Sequence, residues 1–174
     1  KPGSYLYVSG TNQAIQQQMG LFGGLVVRPT TDTSTVAHAY DLNIDNAYDP
    51  TQEYAHMLSD VDPALHKAVD ADPSAGFDWS AFRPRYWFVN GRSMPDTIAP
   101  NNASWLPDQP YSALVHVQAQ TTGDGSYPAL IRYFNASEVT HPFHPHGADT
   151  DVVGVDAQPL RDSAGDDMSV RKYL

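Results

Sequence analysis

The apolar residues of this chain come in short β-prone runs punctuated by glycine, proline and asparagine. Residues 4–9, "SYLYVS", form one such run. "GLFGGLVVRP" is a second, buried in character and stopped at Pro29, and its Gly23 and Gly24, with Gly20 before them, point to close backbone approach or a bulge. "AHAYDLNID", from Ala37, continues in the same style after a polar linker at 30–36, which marks a candidate boundary. "RYWFVNGRSMPDT" reads as a strand that turns at Asn90-Gly91. "ALVHVQAQ" alternates, with Leu114, His116, Gln118 and Gln120 on one face and Ala113, Val115, Val117 and Ala119 on the other. "ALIRYFNA" and "DTDVVGVDAQ" complete the series. Strands this short, spaced this closely, predict an all-β fold: an antiparallel sandwich or barrel.

One segment breaks the pattern. Residues 62–71, "DPALHKAVDA", carry a capping Asp62 and a proline at the first helical position, which predicts one short surface helix. "QAIQQQMG" at 13–20 reads only as an interruption between two strands.

Composition sets the outer limits. Of 174 residues, 41% are apolar and 11% aromatic, enough to fill a core. A formal charge of −10 disfavours nucleic acid and anionic membrane as partners, because both reward Lys and Arg. No apolar run approaches the roughly 20 residues of a membrane helix. The sequence opens without an initiating Met or a charged-then-apolar run, and both ends read as cut from a longer sequence, so any signal peptide is expected to have been removed. The absence of Cys excludes disulfides and any thiolate ligand supplied by this chain.

The densest chemistry lies in "HPFHPHG", residues 141–147, with His141, His144 and His146 in one stretch. On an extended chain His144 and His146 share a face and His141 takes the other, a layout that suits two adjacent metal sites served by one strand. Pro142 and Pro145 remove ladder donors, so the segment is an edge or a kink. Imidazole suits copper and zinc alike. The competing reading is a turn whose histidines are satisfied by backbone carbonyls. His116 is a weaker candidate ligand, and His38, His56 and His66 fit ordinary surface or core roles. Asp60, Asp62, Asp70 and Asp72 lack the glycine and closing Glu of a calcium loop and read as solvated helix ends. Asn102-Ala-Ser and Asn135-Ala-Ser match glycosylation acceptor triplets. No phosphate loop, dinucleotide fingerprint or nucleophile elbow is present.

"HPFHPHG" resembles the histidine motif, written HPxHLHG, of a copper-binding cupredoxin domain in multicopper oxidases. "GSYLYVSGTNQAIQQQMGLFGGLVVRP" resembles the end of one such domain, and "YWFVNGRSMPDTIAPNN" the early strands of the next. The resemblance implies a cupredoxin-like Greek-key β-sandwich. Residues 1–40 would be the C-terminal part of a copper-free cupredoxin domain, and 41–174 most of a second, truncated one. It implies copper as cofactor, with His141 matching a type 1 copper ligand and His144 and His146 matching ligands of a trinuclear cluster that reduces dioxygen. Pro145 stands where the family has Leu. The family's HCHxxxHxxxxM pattern is lost at Val8, Ser9, Gly10 and Ala14; only Met19 keeps its place, and there it is expected as a core residue.

The activity implied is therefore that of part of a multicopper oxidase, oxidising phenols or metal ions with O2 as acceptor. The resemblance implies that this chain is not a complete multicopper oxidase by itself. Its partners would be the remaining cupredoxin segments of the same or another chain, with an oligomer possible in principle, in an extracellular or periplasmic compartment. The alternative is a non-catalytic cupredoxin-like module of an extracellular assembly whose histidines are vestigial. Simple metal binding, of copper, zinc or nickel without turnover, is a third.

Overall fold

A computed structural model describes residues 1–40, 46–74, 76–118, 125–143, 150–166, 168 and 170–172. Small sheets dominate and two helices interrupt them. In chain order the elements are β1 (Gly3–Val8), α1 (Gln13–Gln18), β2 (Phe22–Val27), β3 (Ala37–His38), β4 (Ala47–Tyr48), β5 (Glu53–Val61), α2 (Pro63–Ala71), β6 (Tyr86–Val89), β7 (Leu130–Asn135), β8 (Thr150–Val152), β9 (Gly154–Val155), β10 (Gln158–Pro159) and β11 (Val170–Lys172). β1 and β2 pair antiparallel from Gly3↔Val27 to Val8↔Phe22. β3 pairs with β4, β9 with β10, and β8 with β11. The largest sheet has the order β6-β5-β7. No helix among the described residues is long and apolar enough to cross a membrane.

The β-rich class expected from the sequence is present. The uniformly antiparallel arrangement is not, because β7 runs parallel to β5, from Glu53↔Leu130 to Leu58↔Asn135. A parallel neighbour cannot be reached by a tight turn, and here α2, β6 and the long segment after it make the crossover. The alternating run at 113–120 also differs: residues 113–118 form no strand, and 119–120 lie outside the described residues. Side chains substitute for a ladder there. The Tyr54 hydroxyl donates to His116 O at 2.9 Å and accepts from His116 N at 3.1 Å, and Gln118 N donates to Gln52 Oε1 at 2.9 Å. "DTDVVGVDAQ", read as one strand, is broken into β8, β9 and the start of β10. "AHAYDLNID" contributes only the two residues of β3, with 41–45 outside the described residues.

Other local readings hold. α2 starts as the sequence directs: Asp62 Oδ1 accepts from Ala64 N at 2.8 Å with Pro63 in the first turn, and Oδ2 accepts from Arg83 N at 2.8 Å. A cap of this kind is worth about 1 kcal/mol. Asn90 and Gly91 take φ of 53° and 76°, the left-handed pair of a tight hairpin turn, and close the Val89↔Arg92 bridge. The glycines of β2 serve close approach: Gly23 lies beneath the Tyr7 ring, and a Cβ at Gly24 would sit 3.1 Å from the Phe134 ring. "QAIQQQMG" is a second helix rather than a plain interruption. It buries Ile15 and Gln18 and is followed by Gly20 at φ 89°.

The hairpin β1-β2 docks on the main sheet through polar as well as apolar contacts. Arg132, 5% exposed, donates to Glu53 Oε1 at 2.7 Å, Ser4 Oγ at 2.9 Å and Tyr48 Oη at 3.4 Å. Tyr40, Tyr48, Leu58, Leu65, Phe134 and Ala136 are among the buried apolar residues.

Candidate metal centre

β7 leads through the turn at 136–140 into the histidine segment, whose described part is His141, Pro142 and Phe143. His144 and His146 lie outside the described residues. Asn135, the last residue of β7, starts a side-chain-stabilised turn: its Oδ1 accepts from Ser137 N at 3.1 Å and its Nδ2 donates to Val139 O at 3.2 Å. The Ser137 hydroxyl touches Asn135 Oδ1, Val139 O and the Nε2 of His141. His141 is thus anchored by one ring nitrogen to the turn before it. The turn itself is tied back to the sheet and to α1, with Gln17 Nε2 donating to Ala136 O at 3.0 Å and Glu138 N to Asp60 Oδ1 at 3.5 Å.

Phe143 packs on Tyr133 with ring centroids 4.0 Å apart, and Tyr133 meets His56 edge-on at 5.6 Å. This column joins the histidine segment to the centre of β5. His56 is 6% exposed, and neither ring nitrogen has a hydrogen-bond partner among the described residues. A buried imidazole without partners resists protonation, so desolvation lowers its pKa from the ordinary 6.5. Burial likewise raises the Tyr133 phenol. Nearby, Gln18 Nε2 donates to Asp60 Oδ1 at 2.8 Å inside the protein, while Gln18 Oε1 and Asp60 Oδ2 have no partner among the described residues.

The lowered His56 value has a definite sign. The unfolded chain binds a proton there before the folded one does, so this contribution to stability is complete above about pH 6.5 and is lost as pH falls from there through the lowered folded value. His56→Leu is expected to remove that part of the acid sensitivity and to change stability at pH 8 by no more than about 1 kcal/mol, since no hydrogen bond is lost. Urea unfolding of both proteins at about pH 8 and pH 5.5 checks this. An equal loss in both on acidification would show that His56 is not the group responsible.

The other described histidines are not gathered with His141. His38 Nδ1 lies 3.3 Å from Asp32 Oδ1. His66, on α2, places Nε2 3.1 Å from Gln18 O. His116 is exposed and is held by its backbone. Among the described residues no group of three or more His, Asp or Glu side chains is gathered to hold a metal ion. Met19, expected in the core, is 38% exposed at the end of α1. Four residues after Ile15, position 19 would share its face on a continuing helix, but Met19 is the C-cap, and the chain leaves the helix there into Gly20 at φ 89°.

Sequence reading missed the role of Ser137. The triplet Asn135-Ala136-Ser137 suggested a glycosylation acceptor, yet the same residues form the turn that holds His141. An Asn followed two positions later by Ser is also the signature of such a turn, and that signal was present. Comparison with protein-family models, curated proteins and solved structures found no match for this chain.

Proposed function

We propose that the chain is part of a multicopper oxidase and that HPFHPHG supplies imidazole ligands for copper, with substrate oxidation, of phenols or metal ions, coupled to reduction of O2 to water. The motif carries the reading: three imidazoles within six residues of sequence, the first of them His141, held by the turn that follows β7. The donor chemistry fits the metal, because imidazole is a good copper ligand and His141 is held through Nε2, with no partner for Nδ1 among the described residues. Copper bound there would supply one-electron steps between a reduced substrate and dioxygen. The chain's own contribution is to orient His141 from the turn at 135–139 and to pack apolar rings behind the segment, with Phe143 on Tyr133.

The chain has no Cys, so the thiolate of a blue copper site and the rest of the cluster would come from further cupredoxin segments of the same or another chain. A cupredoxin-like Greek-key sandwich, divided near residue 40, and an extracellular or periplasmic location belong to this same proposal.

A second reading has its own support. Val8, Ser9, Gly10 and Ala14, at the end of β1 and the start of α1, offer no metal-binding side chain. That favours a structural role for the first part of the chain, and a non-catalytic module if the histidines also prove empty.

Elemental analysis of copper-loaded protein, after removal of free metal, decides between them. Copper is expected to remain with the wild type and to be lost from the His144→Ala, His146→Ala variant. A wild type that retains no copper under copper-replete conditions would sink the oxidase reading for this chain and leave the structural module.

A further inference from the structure

The hydrogen bonds after β7 form a chain with a direction. Asn135 cannot be turned over: its Oδ1 faces the Ser137 N–H at 3.1 Å and its Nδ2 faces the Val139 carbonyl at 3.2 Å, so a flipped amide would oppose donor to donor and acceptor to acceptor. Ser137 has one hydroxyl hydrogen and three neighbours. Two of these, Asn135 Oδ1 and Val139 O, can only accept. The hydrogen therefore goes to one of them, and the Ser137 oxygen turns a lone pair to His141 Nε2. Nε2 must then carry the proton. The neutral His141 ring is left with its lone pair on Nδ1.

We infer that Asn135 and Ser137 are positioning residues that fix His141 in the tautomer whose Nδ1 is free to bind a metal. Ligand imidazoles commonly use the second ring nitrogen in this way, donating it to a nearby acceptor that sets both tautomer and ring orientation. The arrangement assigns Asn135 a task that conflicts with reading it simply as a glycan acceptor, since both ends of its amide are engaged in the turn. The proposal rests on the copper reading for its purpose, though not for its geometry.

The test separates the two. Long-range proton–nitrogen NMR correlations of the metal-free protein at about pH 8, where an ordinary histidine is neutral, report the tautomer of each ring. The His141 signals are assigned by their loss in His141→Gln. Wild type is expected to show His141 in a single state with Nε2 protonated. Ser137→Ala keeps the Asn135 turn to the backbone N–H but removes the acceptor, and is expected to shift the His141 nitrogens toward an averaged mixture. Ser137→Thr, which restores a hydroxyl, is expected to return them to the wild-type state. In parallel, titration with Cu(II) alone is expected to give about 10-fold weaker binding in Ser137→Ala, recovered in Ser137→Thr.

A proton on Nδ1 in the wild type would overturn the inference. So would a Ser137→Ala protein, folded by its amide spectrum, whose His141 signals are unchanged. If Ser137→Ala does not fold, the wild-type tautomer and the Ser137→Thr spectrum decide. A locked Nε2–H tautomer in a protein that binds no Cu(II) would uphold the positioning and reject the copper reading.

Discussion

Arg92→Met is expected to destabilise the protein by about 3 kcal/mol or more, with the damage centred on residues 94–111. Arg92 is 2% exposed and follows the Asn90-Gly91 turn. Its guanidinium donates only to carbonyls: Nε to Gln109 O at 2.8 Å, and the terminal nitrogens to Ala99 O at 2.8 Å, Pro100 O at 3.3 Å and Asp96 O at 3.4 Å. No carboxylate among the described residues pairs with it. The segment it organises contains one turn of 3₁₀ helix, Asp96–Ile98, and otherwise no regular element. Few ladder bonds exist to satisfy those carbonyls once the guanidinium is gone, and each buried group left alone costs about 1–3 kcal/mol. Arg92→Lys keeps the charge but not the planar fork, so it should lose a large part of the same stability. Urea unfolding measures both. A loss below about 1 kcal/mol for Arg92→Met would mean that the loop holds itself together.

The second large effect is expected at Arg132. Arg132→Met removes one partner of the buried pair with Glu53 and should cost about 3 kcal/mol, because the carboxylate stays inside with less compensation. Arg28 also binds Glu53, but its side chain is 55% exposed, so Arg28→Met should cost under about 1 kcal/mol. Burial drives the Glu53 pKa up, but hydrogen bonds from Arg28 and Arg132 and their charges outweigh it, and the net shift is down from 4.5. A lowered carboxyl contributes stability that is complete above the unfolded value and is lost as pH falls through the folded one. Wild type should therefore lose more stability than Glu53→Gln on acidification below about pH 4.5. Chemical unfolding from pH 7 to pH 3 would show it. Equal acid loss in both proteins would argue against Glu53 as a source.

What could be read from the sequence was local. Asp62-Pro63 fixes the start of α2, Asn90-Gly91 fixes a hairpin turn, and Gly23 and Gly24 admit the rings of Tyr7 and Phe134. The cap and the turn depend on backbone geometry within a few residues, which the residue types state directly; the glycines mark a close approach without naming the rings that make it. The parallel partnering of β5 and β7 depends on which distant strand wins an edge, which no periodicity encodes. The run at 113–118 shows the same limit from the other side: its alternation is that of a strand, but Tyr54 and Gln52 side chains hold the backbone that a neighbour strand would have held. At the candidate site the histidines were legible and their support was not. Ser137 matters because Asn135 and Val139 claim its proton, and His56 stands out only once both its nitrogens prove buried and unpartnered.

The parallel pairing also bears on how the chain reaches its fold. β1 meets β2, and β5 meets β6, across short stretches that close quickly. β7 must wait for Leu130 to find Glu53 past α2, β6 and the Arg92-organised loop, and the entropy of closing so long a loop is spent before any contact repays it. The turn that anchors His141 begins on the last residue of that strand. The histidine segment therefore gains its support only once the central sheet has closed, and any lesion that slows that closure delays the site with it.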